Sequence, residues 1–227
     1  MKFNDHSKLE GKHALFSASQ SHWLRYDDEK IIDKYLNRNK VQLGTELHEY
    51  AKIQIDLMQR VSSIKSLMHD VATFIYTKYS LTKDNPQPQF GMDLIKSLNY
   101  IPREVFETLK MYINDAIGYK MKAEVILYYS DLNFGTADTI SFKNRILRIH
   151  DYKSGKHKAD MEQLEVYTAL FCLEYRMKIG IDIDEVELRI YQNDEIVVHN
   201  PTAEDIDPII DMIIHTNKIT ENVDEED

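Results

Sequence analysis

A short run of polar residues at the end of an apolar segment, Asp151-Tyr152-Lys153, contains the residue types that metal-assisted hydrolysis uses. On a β-strand, residues two apart point to the same face, so the Asp151 carboxylate and the Lys153 amine should lie together. Leu147 and Ile149 precede them on that face, close to a core. Burying such charges is costly unless they pair or bind an ion. The segment therefore predicts either an ion pair at a strand end or part of a catalytic centre.

A second carboxylate, Asp138, falls on the preceding predicted strand. We expect that strand to turn back through Lys143-Asn144. Asp138 would then lie diagonal to Asp151 on the same face, with Cα atoms roughly 7–8 Å apart. Two carboxylates at that spacing can hold one divalent cation, which would neutralise a phosphodiester and activate water. The pattern therefore favours metal-dependent hydrolysis of phosphate esters.

Both aspartates belong to a series of four short motifs along the chain, spanning residues 44 to 167. The motifs are Gly44-Thr45-Glu46-Leu47-His48-Glu49, Gly135-Thr136-Ala137-Asp138, Asp151-Tyr152-Lys153-Ser154-Gly155 and Gln163-Leu164-Glu165-Val166-Tyr167. In this order the chain resembles the PD-(D/E)XK nuclease superfamily, specifically its RecB-type exonuclease branch. Ala137 stands where the superfamily's name has proline, as is common in that branch.

The resemblance implies a role for each matching residue in the centre. Asp138 and Asp151 would ligate the metal, Mg²⁺ or Mn²⁺, and the backbone carbonyl of Tyr152 would complete its shell. Lys153 would position the attacking water, so that Asp138, Asp151 and Lys153 form the catalytic set. His48 would reach the metal from the helical side.

Further residues are expected to contact the substrate. Gln163 and Tyr167 lie four apart on one predicted helix face, and the resemblance implies that they hold phosphate or the metal's outer shell. Lys156 and Lys158 follow the catalytic lysine and are predicted to contact DNA from a solvated loop. Glu124 begins the first predicted strand, where relatives often carry an acidic residue, and is a further candidate.

Hydrophobic periodicity predicts a mixed α/β chain in which helices precede three strands, a helix, two strands and a last helix. The resemblance implies a restriction-endonuclease-like PD-(D/E)XK core, with a central mixed β-sheet flanked by helices. We expect one compact domain with three parts: a mainly helical elaboration at 1–120 that contributes to the site, the nuclease core at 121–218, and an acidic, disordered tail at 219–227.

The predicted elements within this plan have approximate bounds. Helices are expected across 42–80, 102–117 and 160–178, with a last helix ending near Thr216. Strands are expected at 123–129, 135–142, 145–152, 186–191 and 195–199.

The charge distribution bears on the partner. A formal net charge of −10 argues against nucleic-acid binding, because phosphate contacts need Lys and Arg. However, six basic residues between 143 and 158 are opposed only by Asp151. This local basic surface suits an enzyme that touches a few phosphates, so DNA is the expected partner.

The small number of cysteines and the segments that the sequence lacks bear on the expected compartment, cofactors and partners. A single cysteine, Cys172, excludes an intrachain disulfide and the four-cysteine iron–sulfur cluster of several relatives. With no secretory signal or membrane-spanning run, we expect a cytoplasmic protein, of a bacterium or a phage-infected cell. The chain also lacks a Walker-type phosphate loop, so any helicase, annealing or recombination partner would be a separate protein.

The most favoured function is an exonuclease of recombination, repair or replication. Two alternatives remain at this stage: a catalytically inactive module that keeps the fold and binds DNA or protein, and a structure-specific or nicking endonuclease.

Overall fold

The computed structural model describes residues 1–227 except 2, 10–13, 37–45, 82–85, 87, 99–100, 155–158 and 226–227. The motif residues Gly44, Thr45 and Gly155 and the predicted DNA contacts Lys156 and Lys158 therefore lie outside the described residues.

The centre of the fold is a five-stranded mixed sheet in which the strands follow their order in the sequence. Neighbouring strands are antiparallel except β3 and β4, which are parallel. A helix at Glu162–Phe171 (α6) lies between these two strands in the sequence and makes the parallel crossover. The strands are β1 Lys122–Ser130, β2 Asn133–Lys143, β3 Ile146–Lys153, β4 Glu185–Gln192 and β5 Glu195–His199.

Helices flank the sheet, as the sequence predicts. The α5 helix packs against β3 and β4, whereas α6 packs against β1 to β4. Two 3-10 helices, Ser7–Leu9 and Ala18–Arg25, precede the α-helices. The α-helices are α1 Asp28–Leu36, α2 Glu46–Asp56, α3 Ile64–Ser80, α4 Pro88–Leu98, α5 Arg103–Gly118, α6 Glu162–Phe171 and α7 Ala203–Glu225, and a π-helix, Cys172–Met177, continues α6.

Two hydrophobic clusters fill the space between these layers. Leu147 and Ile149 are fully buried in the cluster that includes α6 and α7, which confirms that they point to a core face. Tyr152 and Tyr191 belong instead to the cluster built from α2, α3 and α5. The alternation of side chains along β3 thus divides its residues between the two clusters.

Three expectations about the helices are wrong in detail. The predicted helix across 42–80 is interrupted, because α2 ends at Asp56 and α3 begins at Ile64 behind its Ser63 cap. The helix after β3 changes to π geometry at Cys172. The last helix continues to Glu225, so residues 219–225 are helical rather than a disordered tail. None of these changes alters the sheet.

The turn between β2 and β3 also differs from the prediction. It is formed by Asn144 and Arg145, with φ values of 53° and 62°, rather than by Lys143-Asn144. Two consecutive positive φ angles are typical of a type I′ hairpin. The register is therefore shifted by two residues, which keeps Asp138 and Asp151 on one face but makes them direct rather than diagonal neighbours.

Candidate metal centre

The sheet opens at the position of the predicted site. The ladder between β2 and β3 ends at the pair Thr139–His150, whereas β3 continues beside β4 as far as Lys153. Asp138 and Asp151 are the first residues beyond the last pair, so they face each other across the opening. The structure thereby brings together the two carboxylates that the sequence predicts.

The backbone of Tyr152 also faces this opening. Its amide donates a hydrogen bond to Asp138 Oδ2 over 3.2 Å, in place of a bond to the backbone of β2. In an extended strand, the N–H and C=O of one residue point to the same side. The Tyr152 carbonyl is therefore directed towards the same opening, as expected for a metal ligand.

His48 reaches the site from α2. Its Nδ1 lies 3.1 Å from Asp138 Oδ2, and its ring packs against that of Tyr152 with centroids 5.4 Å apart. One ligand atom each from His48, Asp138 and Glu124 lie within 4.8 Å of one another. These three side chains could therefore share a metal ion, which supports the inclusion of His48 and Glu124 in the site.

Glu124 has an unusual backbone conformation. Its φ of 51° is in the left-handed region, which non-glycine residues seldom adopt within a strand. Its neighbours Ala123 and Val125 pair with Thr139 and Ala137, so Glu124 lies opposite Asp138. Backbone strain of this kind costs on the order of 1–3 kcal/mol and is concentrated at functional sites.

A chain of hydrogen bonds connects the site to α6. Lys153 Nζ donates to Asp151 Oδ1 over 3.1 Å and to Gln163 Oε1 over 2.7 Å. Gln163 Nε2 in turn donates to the Tyr167 hydroxyl over 3.0 Å. Gln163 and Tyr167 therefore position the lysine, a role that their helical spacing alone does not predict.

Gly135 allows Tyr167 to take this position. A Cβ atom at Gly135 would lie 2.8 Å from Tyr167 Cε1 and 3.5 Å from the Cβ of Ala18. Because the first distance is closer than any ordinary contact, only glycine lets β2, α6 and the 3-10 helix at Ala18–Arg25 meet here. The same 3-10 helix is held to α6 by Ser21 and Arg25, which both donate to Glu162.

The charges of His48 and Asp138 shift each other's pKa values. Burial lowers the pKa of His48, but the negative charges of the surrounding carboxylates outweigh this effect and raise the pKa to about 9. Burial acts to raise the pKa of Asp138, yet His48 and Lys153 hold it below its usual value. The two side chains therefore form an ion pair.

The other two carboxylates are less easily ionised. Burial and the adjacent Asp138 raise the pKa of Asp151 to about 7 and that of Glu124 to about 7. Asp151 Oδ2 is buried and, among the described residues, accepts no hydrogen bond of good geometry, although Lys153 Nζ lies 3.0 Å away. An unsatisfied buried carboxylate oxygen beside further carboxylates and an imidazole is a donor set that suits a divalent cation.

One neighbour of the site was not anticipated from the sequence. Tyr112 of α5 is 2% exposed, and its ring stacks against that of Tyr152 at a centroid distance of 5.8 Å. In the sequence Tyr112 is one of several apolar residues at helical spacing, and nothing distinguishes it from an ordinary core position. It supports the ring that packs against His48.

Comparison with known proteins identifies a family without a known activity. A family model described as a protein of unknown function (DUF2800) matches residues 13–207, and the chain therefore belongs to this family. No curated protein matches the chain. In the described part of the chain, no helix combines the length and apolar character needed to cross a membrane.

Proposed function

We propose that the protein is a Mg²⁺- or Mn²⁺-dependent DNA nuclease with a PD-(D/E)XK-type site, acting as an exonuclease in recombination, repair or replication. One observation supports this most strongly: Asp138, Asp151 and Lys153 converge with His48 and the backbone of Tyr152 where β2 and β3 separate. The residues come from motifs far apart in the sequence, and the fold brings them to one opening.

Each residue has a task that follows from its contacts. Asp138, Asp151, His48 and the Tyr152 carbonyl would hold the cation, which supplies positive charge against the phosphodiester. Lys153 is 29% exposed, so its amine can both orient a water molecule and contact the substrate. The water oxygen would form the new bond to phosphorus as the bond from phosphorus to a sugar oxygen breaks, with the water's proton passing to solvent and the leaving oxygen taking one up from solvent. Glu124 is positioned to bind the same cation or a second one.

The substrate would approach from the solvent side of Lys153. Gln163 accepts a hydrogen bond from this lysine through Oε1, so it would contact a phosphate through Nε2, the donor that now bonds the Tyr167 hydroxyl. Lys156 and Lys158 follow Lys153 by three and five residues in the sequence, and their positive charges favour a phosphate backbone over a neutral substrate. We further propose that the protein acts in the cytoplasm of a bacterium or phage-infected cell, with any motor or annealing activity supplied by a separate partner.

The test is cleavage of end-labelled linear DNA, single- and double-stranded, with Mg²⁺ or Mn²⁺. We expect progressive shortening that EDTA abolishes and that Lys153→Ala lowers by at least about 10²-fold. Lys218→Ala, at an exposed position of α7, is the matched control and should retain full activity. Covalently closed circular DNA should survive, because an exonuclease needs a free end.

Other results would reject all or part of the proposal. Cleavage of the circle would identify an endonuclease at the same site. No cleavage of any DNA by folded, metal-loaded protein would leave a binding module without catalysis. Equal activity of Lys153→Ala and the wild type would place the reaction elsewhere in the chain.

A further inference from the structure

The β5 strand forms one edge of the sheet and presents an uncovered apolar surface. Among the residues that the structure describes, the sheet order leaves β5 paired only with β4. Ile196, Val197 and Val198 are 37%, 43% and 50% exposed, respectively. Natural edge strands are usually protected by lysine, proline or a bulge. The sequence Glu195–His199 contains neither residue, and its register with β4 is regular.

The backbone groups on the open side of β5 can be assigned from the hairpin. Asn193 and Asp194, with φ values of 53° and 61°, form a two-residue turn that closes at the pair Gln192–Glu195. A closing pair of this kind exchanges both of its hydrogen bonds, and bonded and non-bonded pairs then alternate along the ladder. The N–H and C=O groups of alternate residues therefore point away from β4. These residues are Ile196 and Val198.

We propose that β5 pairs antiparallel with β5 of a second copy of this chain, about a two-fold axis at Val197. Ile196 of each copy would then lie opposite Val198 of the other copy and exchange two hydrogen bonds with it. In this register, the residues whose backbone groups point away from β4 face each other across the two copies. All five residues of each β5 strand are paired. The four backbone bonds formed in this way satisfy all the outward groups of both residues.

The polar residues at the two ends of β5 fit the same register. Glu195 of one copy lies opposite His199 of the other, at each end of the pairing. His199 already lies 3.3 Å from Glu165 of α6 and is 38% exposed, so its ring can lie between two carboxylates. An imidazole N–H can donate a hydrogen bond to a facing carboxylate, whereas a parallel, in-register arrangement would put like residues together. The strand is thus complementary to itself, which favours a second copy over an unrelated peptide.

The pairing would connect the two candidate metal centres. Asp151 is the partner of Ile190 on β4, and Ile190 is the partner of Val197 on β5. Both aspartates of the dimer would therefore lie in one row across a ten-stranded sheet and on the same face of it. Five strand spacings separate them, or about 24 Å. The pairing itself does not depend on the proposed nuclease activity.

The size of the contact sets the expected affinity. A five-residue strand contributes less than the roughly 1,200 Å² of total buried surface that stable complexes need. We therefore expect a dimer that forms in the micromolar range and dissociates on dilution.

Single cysteines test both the partner and the register. At the two-fold axis the facing residues form a non-hydrogen-bonded pair with Cα atoms about 4.5 Å apart, which suits a disulfide. In the full-length chain, Val197→Cys should give a disulfide-linked dimer under mild oxidation. Ile196→Cys and Val198→Cys should crosslink at least about tenfold less, because neither residue faces its own copy. The native Cys172 is buried, and wild-type protein serves as the background.

Sedimentation of the free protein provides the second measurement. Wild type should show a concentration-dependent dimer, and Val197→Lys should remain monomeric with an unchanged circular dichroism spectrum, because the position is exposed. A wild type that stays monomeric at all concentrations would overturn the proposal. Equal crosslinking of the three cysteine variants, or stronger crosslinking at Ile196 or Val198, would overturn the register. DNA cleavage is measured on the same samples, so that a failure to dimerise can be distinguished from a failure to cleave DNA.

Discussion

Replacing Asp151 with asparagine should make the metal-free protein more stable, although it should abolish metal binding. Asp151 is 1% exposed, and burial together with the charge of Asp138 raises its pKa to about 7 from a usual 3.8. A difference of roughly three pKa units corresponds to about 4 kcal/mol of destabilisation when the carboxylate is ionised. Asparagine has nearly the same shape and removes the buried charge. The raised pKa already includes the attraction of Lys153, and because an amide replaces a protonated carboxyl imperfectly, we expect a net increase of about 1–3 kcal/mol.

The pH dependence separates this effect from a change in packing. Because the folded-state pKa of Asp151 is raised, the penalty is absent below the usual pKa, grows as pH rises, and is complete above about pH 7. The free energy of unfolding of Asp151→Asn, measured with urea in the presence of EDTA, should therefore exceed that of the wild type by the largest amount at about pH 8. At about pH 5 this difference should be less than roughly half as large. For a chain of this size the melting temperature should rise by about 2–10 °C at the higher pH.

The matched control is Asp211→Asn, an exposed aspartate of α7 whose replacement should change stability little at either pH. Added Mn²⁺ should stabilise the wild type and the control but not Asp151→Asn. If Asp151→Asn is less stable than the wild type at pH 8, or if its advantage does not change with pH, the reasoning about the buried carboxylate is wrong.

Three other substitutions test separate contacts. Gly135→Ala should displace Tyr167 and lower DNA cleavage by about tenfold or more, with a loss of about 1–3 kcal/mol in urea unfolding; unchanged activity would exclude a role for this close packing. Ser63→Ala removes the side chain that accepts the amide hydrogen of Ser66 at the start of α3, and should cost about 1 kcal/mol, whereas Ser63→Asp should restore most of it. Glu174→Ala should cost about 2–4 kcal/mol by thermal unfolding, because this buried carboxylate accepts a backbone bond from β1 and bonds from the N-terminal segment; a loss below about 1 kcal/mol would contradict that role.

The sheet was predictable from the sequence because its strands are short, rich in β-branched residues and separated by polar turns. Their order along the chain follows from these patterns, and the face shared by Asp138 and Asp151 follows from alternation once the two strands are paired as a hairpin. The register was not predictable, since Asn144-Arg145 is a weaker hairpin signal than Asn-Gly, and Arg145 rarely adopts a positive φ. A shift of two residues leaves Asp138 and Asp151 on the same face of the sheet, so the two carboxylates still lie together although the predicted register was wrong.

The remaining features depend on contacts between distant segments. The packing of Ala18 against Gly135 and Tyr167 joins three elements that no local pattern relates. The strained backbone of Glu124 has no sequence signal, because glutamate is not a residue that favours a left-handed conformation. The extension of α7 to Glu225 was missed because its acidic composition resembles that of a solvated tail.

The most direct test of the proposed metal centre is an anomalous difference map from crystals of the protein soaked in Mn²⁺. We predict a peak in the opening between β2 and β3, within roughly 2.0–2.4 Å of oxygens from Asp138, Asp151 and the Tyr152 carbonyl, with His48 or Glu124 completing the shell. Crystals of Asp151→Asn should lose the peak. A Mn²⁺ ion bound elsewhere, or none at saturating concentration, would contradict the assignment of this site.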